Sequence, residues 1–218
     1  MADPVLQAQE LHKSFGRRRV LRGVSFSVSP GNLVGIVGEN GSGKSTLLRI
    51  IAGDLRPNGG GVISLGPMGY CPQTAILNEA LTVDQHLDFF RAAYKLGDHD
   101  RAGELMEKLG YRRYRQELVA NLSGGTKQKL NLTLALMHQP KLLLLDEPYQ
   151  GFDWETYLCF WKLVMELRNN GCGVLVISHL FFEQKRFDVL YRLQDGRVQL
   201  QGRVERGTGS TSGAKENQ

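Results

Sequence analysis

One run, Gly38-Glu39-Asn40-Gly41-Ser42-Gly43-Lys44-Ser45, constrains this chain more than any other stretch. It fits the pattern G-x-x-x-x-G-K-[ST] without a mismatch. The apolar Leu33-Val34-Gly35-Ile36-Val37 before it reads as a buried strand, and Thr46 to Ala52 after it reads as a helix. Gly38, Gly41 and Gly43 permit backbone conformations that a side chain forbids, so successive N–H groups can converge on one anion, Glu39, Asn40 and Ser42 filling the loop between them. The helix leaving the loop, begun by Thr46, adds positive potential at its N-terminus. Lys44 supplies a mobile point charge for the β- and γ-phosphates of a nucleotide, and the Ser45 hydroxyl an oxygen for Mg²⁺.

The rest of the composition bounds the setting. With 218 residues, 41% of them hydrophobic, the chain suffices for one large α/β domain or two small ones. No apolar run approaches the ~20 residues of a membrane span. Met1-Ala2-Asp3-Pro4 lacks the basic and apolar regions of a signal peptide, so the expected location is cytoplasmic. The net charge is +5, with clusters at Arg17-Arg18-Arg19 and at Arg112, Arg113 and Arg115. Either cluster could face an anionic partner or a membrane; solvated surface is the favoured reading, and no nucleic-acid partner is expected. Cys71, Cys159 and Cys172 share no C-x-x-C spacing, which argues for reduced, buried thiols over a disulfide framework or a zinc site.

Taken in order, Val5 to His12 and Val20 to Val28 predict an antiparallel pair around a turn at Ser14-Phe15-Gly16-Arg17. Phe15, placed on that turn, is either an adenine-stacking ring or a packing aromatic. Pro57 to Gly61 predicts a loop, followed by a short strand at Val62 to Leu65 and a second at Met68 to Cys71. Gln73 then stands where a strand ends near the phosphate face, its amide able to touch a metal-bound water. From Leu81 to about Met137 the pattern turns helical, with Thr82 as a cap, and predicts a helical subdomain inserted over about 74–137. Ser123 caps an amphipathic helix over Lys127 to Met137, and Ser123-Gly124-Gly125 put a hydroxyl and bare N–H groups at a helix start, a second anion site.

Leu142 to Leu145 predicts a strand buried on both faces, ending in Asp146 and Glu147. Asp146 is placed to meet Mg²⁺, and Glu147 to polarise the water that attacks a γ-phosphate. Gly173 to Ser178 predicts another buried strand that delivers His179 toward the same edge. Phe187 to Leu200 reads as two short strands around Asp195-Gly196, and residues 206–218 as a disordered polar tail beyond a domain spanning 1–205.

In this order the motifs resemble those of the ATP-binding cassette (ABC) transporter nucleotide-binding domain, over roughly Val5 to Gln201. Gly38 to Ser45 resembles its Walker A loop, Gln73 its Q-loop and Leu122 to Thr126 its signature. Leu142 to Asp146 resembles Walker B, Glu147 the catalytic glutamate, Asp153 the D-loop aspartate and His179 the switch histidine. The resemblance implies an α/β fold with a phosphate-loop NTPase core, a mostly parallel sheet, a small antiparallel β-layer and an inserted helical subdomain. It also implies ATP and Mg²⁺ as cofactors, Phe15 as the adenine-stacking ring, and Ser45, Gln73 and Asp146 around the metal. Two copies or two different cassettes are expected to join head to tail, so that Ser123, Gly124 and Gly125 meet ATP in trans and energise a separate integral membrane permease. That places the protein peripherally on the cytoplasmic face of the membrane.

The sequence departs from the family pattern at Thr126, where glutamine is usual, at Phe15, where tyrosine is commoner, and in the D-loop lead Tyr149-Gln150-Gly151-Phe152. Leu180-Phe181-Phe182 follows His179 where more polar residues are common, and the short stretch from Gly59 to Gln73 predicts a reduced antiparallel layer. Leu81 to Phe90 resembles the exporter-type branch. Two other classes stand beside this reading. One is an ABC ATPase acting on nucleic acid or ribosomes, encouraged by the basic charge. The other is a kinase-like phosphoryl-transfer enzyme, in which Ser123 has no role.

Overall fold

The structure, a computed structural model, describes residues 3–97, 101–178 and 184–203. Two sheets meet around one helix. Strands β1 (Leu6–Phe15) and β2 (Arg18–Val28) are antiparallel neighbours, and with β4 (Gly59–Ser64) they form a three-stranded sheet of order β2-β1-β4. The second sheet has six strands in the order β5-β6-β7-β3-β8-β9. In it β3 (Leu33–Val37), β5 (Met68–Cys71), β6 (Leu142–Asp146), β7 (Gly173–Ser178) and β8 (Val189–Gln194) run parallel, and β9 (Arg197–Arg203) returns antiparallel. This is an α/β fold with a mostly parallel sheet and a separate antiparallel layer.

The central strands are buried on both faces, so they read as continuous apolar runs, and their period of two divides the core. Val34, Ile36, Leu142, Leu144, Leu175 and Ile177 face α1 (Lys44–Ile51) and the antiparallel sheet. Leu143, Leu145, Val174 and Val176 face the helices on the other side. Those are α2 (Val83–Ala93), α3 (Arg101–Lys108) and α4 (Gly124–Leu136), all between β5 and β6 in sequence, and α5 (Trp154–Asn169). Thr82 caps α2 through a capping box with Gln85, as its sequence predicts.

Several elements differ from expectation for identifiable reasons. The β1–β2 hairpin closes over Gly16 and Arg17 alone, so Phe15 ends a strand and does not lie on the turn. In the antiparallel layer β4 begins within the Gly59-Gly60-Gly61 run that predicts a loop. A Cβ on Gly60 would lie 2.2 Å from the Glu10 carbonyl, so the glycines serve a close strand approach at an irregular stretch of β1. Helix α4 is buried nearly all round, Gln128, Asn131 and Thr133 included, and is not amphipathic. Cys71 and Cys172 are buried free thiols, but Cys159 is exposed. Among the described residues no helix is long and apolar enough to cross a membrane.

Candidate nucleotide site

Strand register brings the sequence motifs to one edge. Val37 pairs with Ser178, Ile177 with Asp146, and Leu145 with Cys71, so four parallel strands end level with one another. The segments leaving these strands, which carry Gly38, Glu147 and Gln73, emerge at the carboxyl edge where open α/β sheets hold ligands. His179 is the next residue after β7 and lies outside the described residues, as do residues 180–183.

The glycine loop is wrapped tightly on itself. Gly41 and Gly43 have φ of +78° and +107°, and a Cβ on Gly38 would sit 2.5 Å from the Leu193 carbonyl. Lys44 is 7% exposed, and its ammonium donates to the carbonyls of Gly38 at 2.8 Å and Glu39 at 2.9 Å. Burial lowers its pKa, opposed by the charges of Glu147 and Asp146. A buried cation at a helix start beside a glycine loop suits a bound polyphosphate, and the two nearby carboxylates suit the cation that would accompany it.

The acids lie across from the loop. Asp146 is 3% exposed and its pKa is raised by burial, partly offset by a hydrogen bond from the Ser45 side chain and by Lys44. A hydroxyl and a carboxylate in mutual contact form the kind of oxygen pair that Mg²⁺ takes before completing its shell with phosphate and water. Glu147 is 6% exposed, holds φ at +47° and donates its backbone N–H to the Ile177 carbonyl. Positive φ on a non-glycine residue is a strained conformation that the surrounding structure must hold, and it turns the chain sharply after β6. Its Oε2 accepts from Gln73 Nε2 at 3.2 Å and Gln150 Nε2 at 2.8 Å.

Between loop and acids lies a cavity of about 630 Å³ bordered by Phe15, Arg18, Lys44, Ser45, Gln73 and Glu147. Phe15 is half exposed at its mouth, with the Lys13 ammonium 5.3 Å from the ring centroid, a flat apolar face open to a base. Arg18, part of a cluster read from sequence as solvated surface, donates to the Gly41 carbonyl at 3.3 Å. The residues present therefore fit a nucleoside triphosphate with its metal.

Ser123, Gly124, Gly125 and Asp153 are not among the residues that border this cavity. Ser123 is exposed and accepts from the Thr126 N–H, leaving the start of α4 open to solvent. Asp153 caps α5 by accepting from the Thr156 N–H at 2.7 Å, which holds its carboxyl below the usual range. Sequence reasoning missed Gln150, whose only signal is its place three residues after Glu147 in a tight turn, and Arg18. It also missed the 2.5 Å contact between the buried Tyr149 and Ser178 hydroxyls, which ties the loop after Glu147 to the end of β7.

A strand, a glycine loop, a buried lysine and paired acids at one sheet edge define a phosphate-loop nucleotide hydrolase. The chain belongs to the ABC transporter family, whose model matches residues 21–150, and it carries that family's ATP-binding, ATP-hydrolysing cassette. It is 33% identical over 199 residues to the linearmycin resistance ATP-binding protein LnrL of Bacillus subtilis, covering 84% of this chain and 63% of that one. It is 35% identical over 167 residues to zinc import ATP-binding protein ZnuC 2 of Hahella chejuensis, covering 75% of this chain and 68% of that one. A solved ATP-binding subunit of an ABC transporter superposes with a TM-score of 0.84 at 28% identity, over 89% of this chain and 88% of that one. The chain spans only 28% of the length of a Dictyostelium discoideum relative, ABC transporter G family member 20, which is 31% identical over 85% of this chain.

Proposed function

We propose that this chain is the energising subunit of a transporter. Two nucleotide-binding domains pair head to tail, each ATP being closed between the glycine loop of one and the Ser123 turn of the other. The observation that carries the reading is the start of α4: Ser123 and Gly124 are exposed at a helix N-terminus that suits an anion, yet with Gly125 they stand apart from their own chain's cavity. Within the site, Lys44 and the loop N–H groups hold the phosphates, Phe15 supports the base, and Ser45, Asp146 and Gln73 orient the metal and its water. The metal supplies charge neutralisation at the phosphates. Glu147 takes the proton of the attacking water, and His179 supports the γ-phosphate.

The same reading assigns residues 1–205 to one cassette, 74–137 to its helical subdomain and 206–218 to a polar tail. A separate membrane-spanning permease places the cassette peripherally on the cytoplasmic face. ATP favours the closed pair and its hydrolysis the open one, and that difference in affinity moves the permease. An outward direction follows the exporter-like Leu81 to Phe90 stretch and the linearmycin resistance relative; the zinc import relative favours the inward one.

The test is sedimentation of Glu147→Gln with and without Mg-ATP, repeated with Ser123→Arg added. A dimer that forms only with ATP and is lost with Ser123→Arg supports the shared site. A Glu147→Gln protein that binds ATP and stays monomeric overturns pairing between copies of this chain.

A further inference from the structure

The D-loop lead Tyr149-Gln150-Gly151-Phe152 is a departure that the proposed function leaves without a role, and its side chains turn back onto the site. Gln150 is exposed, and its amide reaches inward to Glu147 Oε2 at 2.8 Å, closer than Gln73 at 3.2 Å. The Gln150 N–H also closes a turn onto the Glu147 carbonyl at 3.3 Å, so one short loop holds both ends of the glutamate. That loop is held from two further sides. Tyr149, packed edge-on against Tyr157 and Phe160, shares its hydroxyl with Ser178. A Cβ on Gly125 would lie 2.3 Å from the Gly151 carbonyl, so the Ser123 turn rests backbone to backbone on the residue after Gln150.

We propose that Gln150 is a positioning residue for Glu147. Two amide donors on one carboxylate oxygen fix the rotation of the carboxylate plane, which a buried glutamate on a strained backbone does not fix by itself. Hydrogen bonds to a carboxylate oxygen are directional, and orientation of a proton acceptor is where misplacement costs rate without costing affinity. The contact of Gly151 with Gly125 adds a second consequence. The turn that is proposed to close the partner's ATP also supports the loop that aims this chain's own Glu147.

The inference rests on the reading of Glu147 as the base, and steady-state hydrolysis by the full chain separates the two. Gln150→Ala is expected to lower kcat about tenfold and leave KM within about twofold, with an unchanged unfolding midpoint because the residue is on the surface. Gln150→Glu keeps the shape and replaces the donor with a second carboxylate, and is expected to lose more. Adding Gln150→Ala to Glu147→Gln is expected to change the residual rate by less than about twofold. A parental kcat in Gln150→Ala or Gln150→Glu, or an equal loss in both backgrounds, overturns the role while a slow Glu147→Gln leaves the base standing. A Glu147→Gln protein as fast as its parent removes both.

Discussion

Asp188 offers the sharpest test of how the sheet holds its phosphate loop. It is 6% exposed, just before β8, and its carboxylate does two jobs: Oδ2 accepts from the backbone N–H of Leu33, the first residue of β3, at 2.8 Å, and the two oxygens receive the Arg168 guanidinium as a fork. Strand β3 ends in the glycine loop, and its start is held by this side chain together with backbone bonds from Val174 to Asn32 and from Asp188 to Leu33. Asp188→Ala leaves a buried N–H without an acceptor, about 1–3 kcal/mol, and a guanidinium without a counter-charge.

Breaking a fully buried pair costs about 3–5 kcal/mol. Here the Arg168 side chain keeps 16% of its exposure against 8% for Asp188, so water recovers part of the guanidinium's loss. The two terms share one carboxylate and do not simply add, and a total near 3–4 kcal/mol follows. Against a typical ~5–15 kcal/mol of stability that is a large fraction, and for a domain of this size it lowers Tm by about 6–16 °C. Asp188→Asn keeps an acceptor for Leu33 and should cost clearly less, and Arg168→Met with Asp188→Leu should recover part of the loss. Urea titration measures all three. An Asp188→Ala unfolding free energy within about 1 kcal/mol of the parent, or an Asp188→Asn as costly as Asp188→Ala, refutes the reasoning.

Two further substitutions probe the site and its support. Lys44→Ala should weaken ATP binding about a hundredfold, or about 2.7 kcal/mol, as read by fluorescent-nucleotide titration, because it removes the buried cation that two loop carbonyls hold at the start of α1. An affinity within fivefold of the parent contradicts the phosphate role. Gly69→Ala places a Cβ 2.1 Å from the Ala135 carbonyl, a clash of backbone with side chain that forces β5 away from α4. A cost of about 1–3 kcal/mol is expected in guanidinium unfolding, and an unchanged midpoint denies the close approach.

The legible part of this chain is local. Gly38 to Ser45 announces its loop because only glycine tolerates that backbone and only a Lys-Ser pair adds charge and hydroxyl at a helix start. Leu142 to Asp146 and Gly173 to Ser178 announce buried parallel strands because burial on both faces leaves no room for alternation. Thr82 and Ser123 announce helix starts through hydrogen bonds that span three residues. Each is a property of a few neighbouring residues: the two strands and the Thr82 cap stand within a residue of expectation, while α4 starts three residues before Lys127.

The misread parts depend on what lies across space. The glycines of β4 look like a loop until the Glu10 backbone is seen against them, and α4 looks amphipathic until both of its sides are seen covered. Arg18 is exposed, as its cluster predicts, and only the fold shows that it also stands beside the phosphate loop. The carboxylate of Glu147 is oriented by Gln73, 74 residues earlier in the chain, and by Gln150, an amide that carries no sequence signature. The sequence by itself therefore determined which chemistry the chain carries and on which strands. Only the tertiary structure decided which side chains aim it, because orientation comes from contacts between segments that a linear pattern does not join.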